Sequence, residues 1–541
     1  MPQELPEELL DQIIHNVAAG DRIHSSWISR PFRETLLSMS LASKTLCRLA
    51  RPHLYQAFSS HAETKEFYGT GMTANYHKAV EVSLPPLLHD NTARYLRTLC
   101  VRPEYGEMLD SLSVSMTDHE SSGVPKHKSP QEHIDLALFQ KQAQSCWFGT
   151  TETAKFQDDL HRALLKKSPD ATICMVLLMC PNIRTLEIIG DSAGRKQFFH
   201  ESLLAYLLEI GTSQSSKSLP QTFGVSKPEA ALQRTLVLQH VQNVMIDIGL
   251  MQVTWVQIKA ILFLPGLEDL QINKMRPLLA GKRDTPGETL VQSSSTRLES
   301  LVLERALLSG SQIAEILRMC PNLRSFRVDW AGTEGFSMQF DPAYNEIGTA
   351  ISRYNPLLTS LTLGDWLWHG VADNPQTMRL QHSLRGLKHL TDLTLCDATV
   401  WRRMTTEPSL THSDALADNL PPSIEYLDIL EFGGLPALMA MSDDDTGAED
   451  RGSDDFSKRR TRDLRRLLLD DGFPCLRGVT LYMPVHGGDS SNSRDPVLLH
   501  YVLTEAVRMR GWNLAQQTSQ EKYGDMVVTH HKAILYREPS L

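Results

Sequence analysis

The side chains of this sequence that could take part in catalysis or metal binding are few and widely spaced. Its eight cysteines include no Cys-x-x-Cys pair, and Cys180 and Cys320 each stand directly before a proline. His530–His531 lies in a strand-like stretch, where adjacent side chains point to opposite faces and chelate one metal poorly. Phosphate-binding loops, nucleophile elbows and zinc-protease motifs are absent from the sequence. We therefore expect no catalytic residue, cofactor or metal, with the cysteines as small core residues.

Composition limits the kinds of partner and compartment. The chain has 541 residues, of which 41% are hydrophobic and 22% charged, and its formal net charge is −10. An acidic chain is a poor match for the phosphates of nucleic acid. Its longest apolar run, Ile173–Cys180, is too short for a bilayer span of about 20 residues. We expect a cytoplasmic or nuclear protein with no nucleic acid and no membrane among its partners.

One short pattern, apolar-x-x-apolar-x-apolar, recurs along the chain. A strand whose alternate side chains pack on one core would show this spacing. Eight copies occur at 183–188, 267–272, 298–303, 323–328, 358–363, 390–395, 424–429 and 476–481. We interpret 96–101 as a ninth copy and 233–238 as a degenerate one.

In six of the eight copies, a proline stands two positions before the first apolar residue. Upstream of several of these prolines, as at 171–180 and 311–320, the apolar residues follow a helical period. Proline beyond a helix end cannot continue the helix and releases the chain into an extended segment. Each unit is therefore predicted to be a helix followed by a strand.

Stacked units of this kind predict an α/β solenoid shaped like a horseshoe, with parallel strands inside and helices outside. The pattern resembles the leucine-rich repeat family in its long, irregular form, although the Asn or Cys that usually follows the strand is missing. The alternative is an ordinary α/β domain with a chance recurrence of leucine. A nucleotide-binding domain of that kind would more often carry a glycine-rich turn, which is absent.

The N-terminus has a different character. "LPEELLDQII" (5–14) predicts an amphipathic helix started by proline, and a second helical run follows at 35–58. Helices this short cannot bury both of their apolar faces alone, so another surface should complete them.

These two stretches resemble an F-box, particularly the kind found in fungal proteins. The link between the helices is longer than usual, and Leu46 stands where many members carry an aromatic residue. The residues that match the adaptor-facing pattern of the family are Leu5, Pro6, Leu9, Ile13, Leu37, Leu41, Ser43 and Lys44.

The resemblance implies that these helices dock on the Skp-type adaptor and cullin of an SCF-type cullin–RING ubiquitin ligase. The repeats would then hold a protein substrate, and the chain itself would perform no bond chemistry. Two alternatives stay open. The protein is an interaction scaffold without a ligase, or the helices only cap the N-terminal end of the repeats, with their apolar residues packed against the first one.

The positions that alternate with the core residues of each strand should face a partner. Acidic residues outnumber the single base, Arg327, at these positions, and tryptophans follow three strands. Acids and aromatic anchors together predict a substrate that is basic and carries apolar groups. The candidate substrate-binding residues are Glu187, Asp269, Glu304, Asp329, Trp330, Trp366, Trp368, Asp392, Trp401 and Asp428.

The predicted domain organisation follows from these patterns. It comprises an F-box domain at 1–58, a linker or first repeat region at 59–95, a repeat solenoid at 96–494 and a C-terminal cap at 495–541. Stretches poor in apolar residues predict flexible insertions at 104–133, 211–230, 280–297 and 441–462. Lys458–Arg462 is either part of a solvated loop or a nuclear import signal.

Overall fold

The structure is a computed structural model with two compact units, one formed by the described residues up to Arg297 and the other by those from Leu298. It describes residues 6–19, 30–59, 90–115, 137–143, 151–165, 168–190, 238–248, 251–253, 255–273, 275–277, 296–330, 344–364, 384–396, 420–430, 464–469, 472–485, 507–508, 512–523 and 526–537.

The first unit combines helices with short strands. Its helices are α1 (Glu7–Ala19), α2 (Arg30–Ala42), α3 (Lys44–Tyr55), α4 (Asp90–Val101), α5 (Glu104–Met108), α6 (Thr151–Leu165), α7 (Pro169–Met179) and α8 (Trp255–Leu262). Its strands are β1 (Ala57–Ser59), β2 (Ser111–Ser115), β3 (Thr185–Gly190), β4 (Asn243–Ile248), β5 (Met251–Val253), β6 (Asp269–Asn273) and β7 (Met275–Pro277). Residues 137–143 are also helical.

Strands β1, β2, β3, β4 and β6 pair in that order, and every pairing is parallel. The registers align Leu112, Leu186, Val244 and Leu270 in one row, and all four side chains are buried. Strands β5 and β7 form a separate parallel pair.

The second unit has fewer helices and a larger sheet. Its helices are α9 (Gly310–Met319) and α10 (Tyr344–Tyr354), with a 3₁₀ turn at Leu384–Gly386 and a helical stretch at 464–469. Its strands are β8 (Ser300–Ala306), β9 (Ser325–Trp330), β10 (Ser360–Gly364), β11 (Asp392–Cys396), β12 (Tyr426–Leu430), β13 (Gly478–Val485), β14 (Asn513–Tyr523) and β15 (Met526–Tyr536).

Strands β8 to β13 pair in chain order and in parallel, after which β15 and β14 join as an antiparallel hairpin. One row of paired residues runs from β8 to β15 and is buried throughout. It consists of Leu301, Phe326, Leu361, Leu393, Leu427, Val479 and Leu535. The alternate side chains of each strand thus form a continuous core on one face.

The prediction of an α/β chain with parallel strands is confirmed. All eight copies coincide with strands, and Leu186, Leu301, Leu361 and Leu393 are buried. The expected order of helix, proline and strand is also present, for example in α7 with Pro181 and β3, and in α9 with Pro321 and β9.

The interpretation of 96–101 as a strand is wrong, because these residues lie in α4. Leu96 and Leu99 are fully buried one helical turn apart, a spacing that also satisfies the repeat pattern. The strand of this repeat is β2, whose copy of the pattern is Leu109, Leu112 and Val114. Part of the expected insertion at 104–133 is therefore regular structure, with α5 and β2 at 104–115.

The degenerate copy at 233–238 is also displaced. Leu238 lies in a turn with a positive φ of 66°, and the strand that follows is β4. Its copy of the pattern is Val241, Val244 and Ile246, which are all buried. The other predicted insertions, at 211–230, 441–462 and nearly all of 280–297, lie outside the described residues, as does most of the first part of the predicted C-terminal cap.

Neighbouring repeats are joined by a recurring backbone contact. The N–H groups of Thr359 and Ser360 both donate to the carbonyl oxygen of Arg324, at 2.7 and 2.9 Å. The same sharing of one carbonyl by two successive N–H groups occurs ahead of β2, β3, β4, β6, β9, β10, β11, β12 and β13.

Buried polar side chains add to this contact at two junctions of the second unit. The amide of Asn355, fully buried, donates to the carbonyl oxygens of Leu317 and Cys320 at 3.3 and 2.7 Å, where α9 ends. The hydroxyl of Ser423 donates to the carbonyl of Leu390 at 2.8 Å. These bonds satisfy carbonyl oxygens at the end of α9 and in the turn ahead of β11.

Among the helices that the structure describes, none has the length and apolar character required to cross a membrane.

Replacing Leu361 with Ala should lower the free energy of unfolding by about 2–5 kcal/mol, because the leucine is fully buried in the central row. Urea denaturation measures this change. Thr362→Ala on the same strand is the matched control, since Thr362 lies on the other face and is only half-buried. Equal losses for the two variants would contradict the one-sided core.

Candidate functional site

Helices α1 to α3 carry the predicted adaptor-facing residues. Helix α1 starts at Pro6, whose carbonyl oxygen accepts the N–H groups of Leu9 and Leu10, and Glu7 and Glu8 occupy the first turn. Carboxylates are favourable there because a helix N-terminus carries partial positive charge. Helix α3 starts at Ser43, whose hydroxyl accepts the N–H of Leu46 at 3.1 Å. Ser43 is therefore an N-cap, a role its position in the sequence did not reveal.

These three helices enclose a small core of their own. Ile14, Ala18, Leu36 and Ala50 are buried together, and partly buried Val17, Met39, Leu46, Leu49 and Leu54 pack against them. An ion pair between Arg48 and Glu7 joins α3 to the start of α1. Leu46 thus takes part in the internal packing of the three helices.

Other apolar side chains on the same helices face solvent. Leu9 and Ile13 on α1 are 46% and 43% exposed, and Leu37 and Leu41 on α2 are 45% and 88% exposed. Each pair is one helical turn apart and so lies on one face of its helix. Pro6 and Lys44 are also exposed, whereas Leu5 lies outside the described residues. We name Leu9, Ile13, Leu37 and Leu41 the apolar face.

Among the described residues, the end of α3 contacts the residues that follow. The rings of Tyr55 and Tyr105 stack with their centroids 4.0 Å apart, and the Arg51 guanidinium lies 5.7 Å from the centre of the Tyr105 ring. Just beyond α3, Phe58 stacks on Tyr95 at 4.2 Å. Helix α3 thus contacts α5, and β1 contacts α4, through aromatic rings.

The predicted substrate-binding residues differ in how exposed their side chains are to solvent. In the first unit Asp269 is exposed, but Glu187 is buried. In the second unit Glu304 is half-buried, next to a bulge in β8 where Arg305 has a φ of 51°.

Asp329 and Trp330, which the sequence analysis placed on the binding surface, are buried in the structure. The Asp329 carboxylate is buried and accepts the Nε–H of Arg327 at 2.8 Å, so the one base of the outward positions neutralises an acid of the same face. Trp330 is buried, and its indole N–H donates to the carbonyl of Leu308 at 3.0 Å. Trp366, Trp368, Trp401 and the segment Lys458–Arg462 lie outside the described residues.

Two acids remain at the surface of β11 and β12. Asp392 is exposed and accepts the Thr391 hydroxyl at 2.6 Å. Asp428 is half-buried, and burial raises the pKa of its carboxyl, against the opposing effects of a hydrogen bond from Thr480 and the charge of Lys532.

The strands also expose two tyrosines that the sequence analysis missed. Tyr426 on β12 is 48% exposed and Tyr536 on β15 is 42% exposed. Both pair with Gly478 of β13, one from each side. The available signal was the position of Tyr426 directly before the first core residue of its strand, which places it on the outward face.

Reactive chemistry is not evident among the described side chains. Burial raises the pKa of the Cys174 and Cys180 thiols, which keeps them protonated. Within the described ranges, no three His, Cys, Asp or Glu side chains come together as a metal site would require. His530–His531 lies in β15.

No protein-family model matches the chain, and no curated protein is significantly similar to it in sequence.

Asp428→Asn should stabilise the protein at pH 7. The native state holds the Asp428 proton to a higher pH than the unfolded chain does, so the ionised carboxylate destabilises the fold above that raised pKa. The advantage of the uncharged Asn should shrink as the pH falls and disappear below about 3.9, the ordinary pKa of Asp. Urea midpoints of parent and variant at several pH values measure the difference. A variant less stable than the parent at pH 7 would show that the Thr480 bond outweighs the burial cost.

Proposed function

We propose that this protein is the substrate-recognition subunit of an SCF-type cullin–RING ubiquitin ligase. In this proposal α1 to α3 are an F-box domain that binds a Skp-type adaptor. The parallel strands and their helices are an irregular leucine-rich-repeat solenoid that binds a protein substrate. The observation that carries the proposal is the apolar face. Its four residues are among those that match the F-box pattern, and they are exposed although the three helices have a core of their own.

The exposure of these residues supports binding to another chain. Large apolar side chains grouped on one surface commonly mark an interaction site, because burying them in a partner removes apolar area from water. The same helices bury other apolar residues, such as Ile14 and Leu36, in the core between them. A face that is apolar and uncovered fits a surface completed by a partner.

The capping alternative predicts a different arrangement. Helices that only cap the repeats should pack Leu9, Ile13, Leu37 and Leu41 against the first repeat. The contacts with α5 and α4 instead come from the end of α3 and the residues just beyond it, through Tyr55, Arg51 and Phe58. This attachment lets the F-box helices be held by the repeats while their apolar face binds the adaptor.

The proposed mechanism is positional. Binding adaptor and substrate on one chain raises the effective concentration of substrate lysines near the charged conjugating enzyme. The chain itself makes and breaks no bond, and it would act in the cytoplasm or nucleus, where such ligases work.

Replacing Leu9 and Leu41 with Asp should abolish binding of a purified Skp-type adaptor. Each charge would enter an apolar contact without a partner, at a cost of several kcal/mol, which corresponds to a loss of about 100-fold or more in affinity. Because both residues are exposed in the free protein, the free energy of unfolding should change by less than about 0.5 kcal/mol. Calorimetric titration and urea denaturation measure the two quantities.

The matched control is Leu165→Asp with Leu357→Asp, which adds the same charge at two leucines of similar exposure to Leu9, outside the F-box helices. This control should bind the adaptor like the parent. Unchanged affinity in the Leu9→Asp, Leu41→Asp variant would reject the F-box assignment, and unfolding of that variant would favour the capping alternative.

A further inference from the structure

The end of the second unit presents a row of outward residues with an unusual composition. Along the registers of β11, β12, β13 and β15, the residues at the same level are Asp392, Tyr426, Gly478 and Tyr536. Their neighbours Leu393, Leu427, Val479 and Leu535 are buried on the opposite face, so the row faces away from the core. We name these four residues the tyrosine row.

Gly478 determines how Tyr426 lies in this row. A Cβ atom at Gly478 would be 2.9 Å from Cδ1 of Tyr426, so the ring lies over the glycine and a side chain there would displace it. Tyr536 pairs with the same glycine from the other side. With neighbouring strands about 4.8 Å apart, the two tyrosines stand roughly 10 Å apart across the glycine. Two half-exposed aromatic side chains thus flank a position with no side chain of its own.

Two carboxylates lie beside these rings. Asp392 pairs with Tyr426 in the register, and Asp428 follows Tyr426 by two residues and therefore shares its face. The adjacent bases already have partners: Lys532 lies 4.8 Å from the Tyr482 ring centre, Arg477 pairs with Glu425 at 3.4 Å, and Arg537 lies 4.5 Å from the Trp512 ring centre.

An exposed aromatic ring next to a carboxylate is the arrangement that binds a guanidinium group. Arginine stacks its planar group on an aromatic face and donates hydrogen bonds to a carboxylate from its edge. Lysine offers a point charge without the planar contact.

We infer that the tyrosine row is the site where an arginine-bearing segment of the substrate protein binds, with the guanidinium on Tyr426 and Asp392. This assignment rests on the proposed function for its occupant, a protein substrate. It moves the binding surface away from Asp329 and Trp330, which are buried, to the strands at the end of the second unit. Tyrosine serves here as the aromatic anchor that interfaces favour.

The test uses the full-length protein and a phage-displayed random dodecapeptide library, with no adaptor present. Selected peptides should share an arginine, and changing that arginine to Lys should weaken binding by about 5-fold or more in fluorescence polarisation. Tyr426→Leu and Asp392→Asn should each weaken binding by about 10-fold. Affinity should also fall as the salt concentration rises.

Asp269→Asn is the matched control, because Asp269 is exposed and occupies the same position before the first core residue of β6. It should bind the selected peptides like the parent, and Leu9→Asp with Leu41→Asp should do the same. Urea denaturation verifies that each variant is folded, and Tyr426→Phe, which keeps the ring, should retain binding.

The inference is overturned if selection yields no arginine-containing peptide, or if Tyr426→Leu and Asp392→Asn bind such peptides like the parent. Its failure is distinguishable from failure of the proposed function. Loss of arginine recognition with normal adaptor binding rejects only the tyrosine row. Arginine recognition in a protein that binds no adaptor rejects only the ligase.

Discussion

Two successive backbone N–H groups bonded to one carbonyl oxygen of the preceding repeat set the geometry of both units. Because all three groups belong to the main chain, the contact tolerates different side chains, and Arg184, Gln242 and Thr391 all occupy its first donor position. The contact fixes the register of each strand on the next. A shift by one residue would bring Leu361 to the outward face, so the buried rows and the outward rows both depend on it.

The sequence was sufficient to predict most strands but not all of them. A strand core of two or three leucines, as in β8, β10 and β11, gave a pattern that chance rarely produces. In β4 the same positions hold Val241, Val244 and Ile246, and the serines of β2 resemble a loop. Helix α4, which is not a strand, has leucines at the spacing of the repeat pattern. Its helical period becomes evident only when the whole stretch from Asp90 is considered, since the three apolar positions of the pattern fit a helix as well as a strand.

Exposure of the outward residues could not be predicted, because it depends on contacts across strands and with loops. Asp329 and Asp392 each stand next to a core residue of their strand, yet one is buried against Arg327 and the other faces solvent. Tyr426 and Tyr536 become neighbours of one glycine only through the pairing of strands about a hundred residues apart. By contrast, the exposure of Leu9 and the burial of Ile14 follow from their positions on α1, since a helix fixes its faces locally.

The antiparallel hairpin of β15 and β14 limits how such a chain can change in length. A parallel strand with an open side can accept another helix–strand unit, so gene duplication can extend the sheet one repeat at a time. The hairpin turns the chain back and leaves β14, with the sequence "NLAQQTSQEKY", outermost in the second unit among the described strands. Polar and charged residues on an outer strand oppose pairing with a further strand. New repeats can therefore arise by insertion between existing ones, whereas growth past β13 would first have to remove the hairpin.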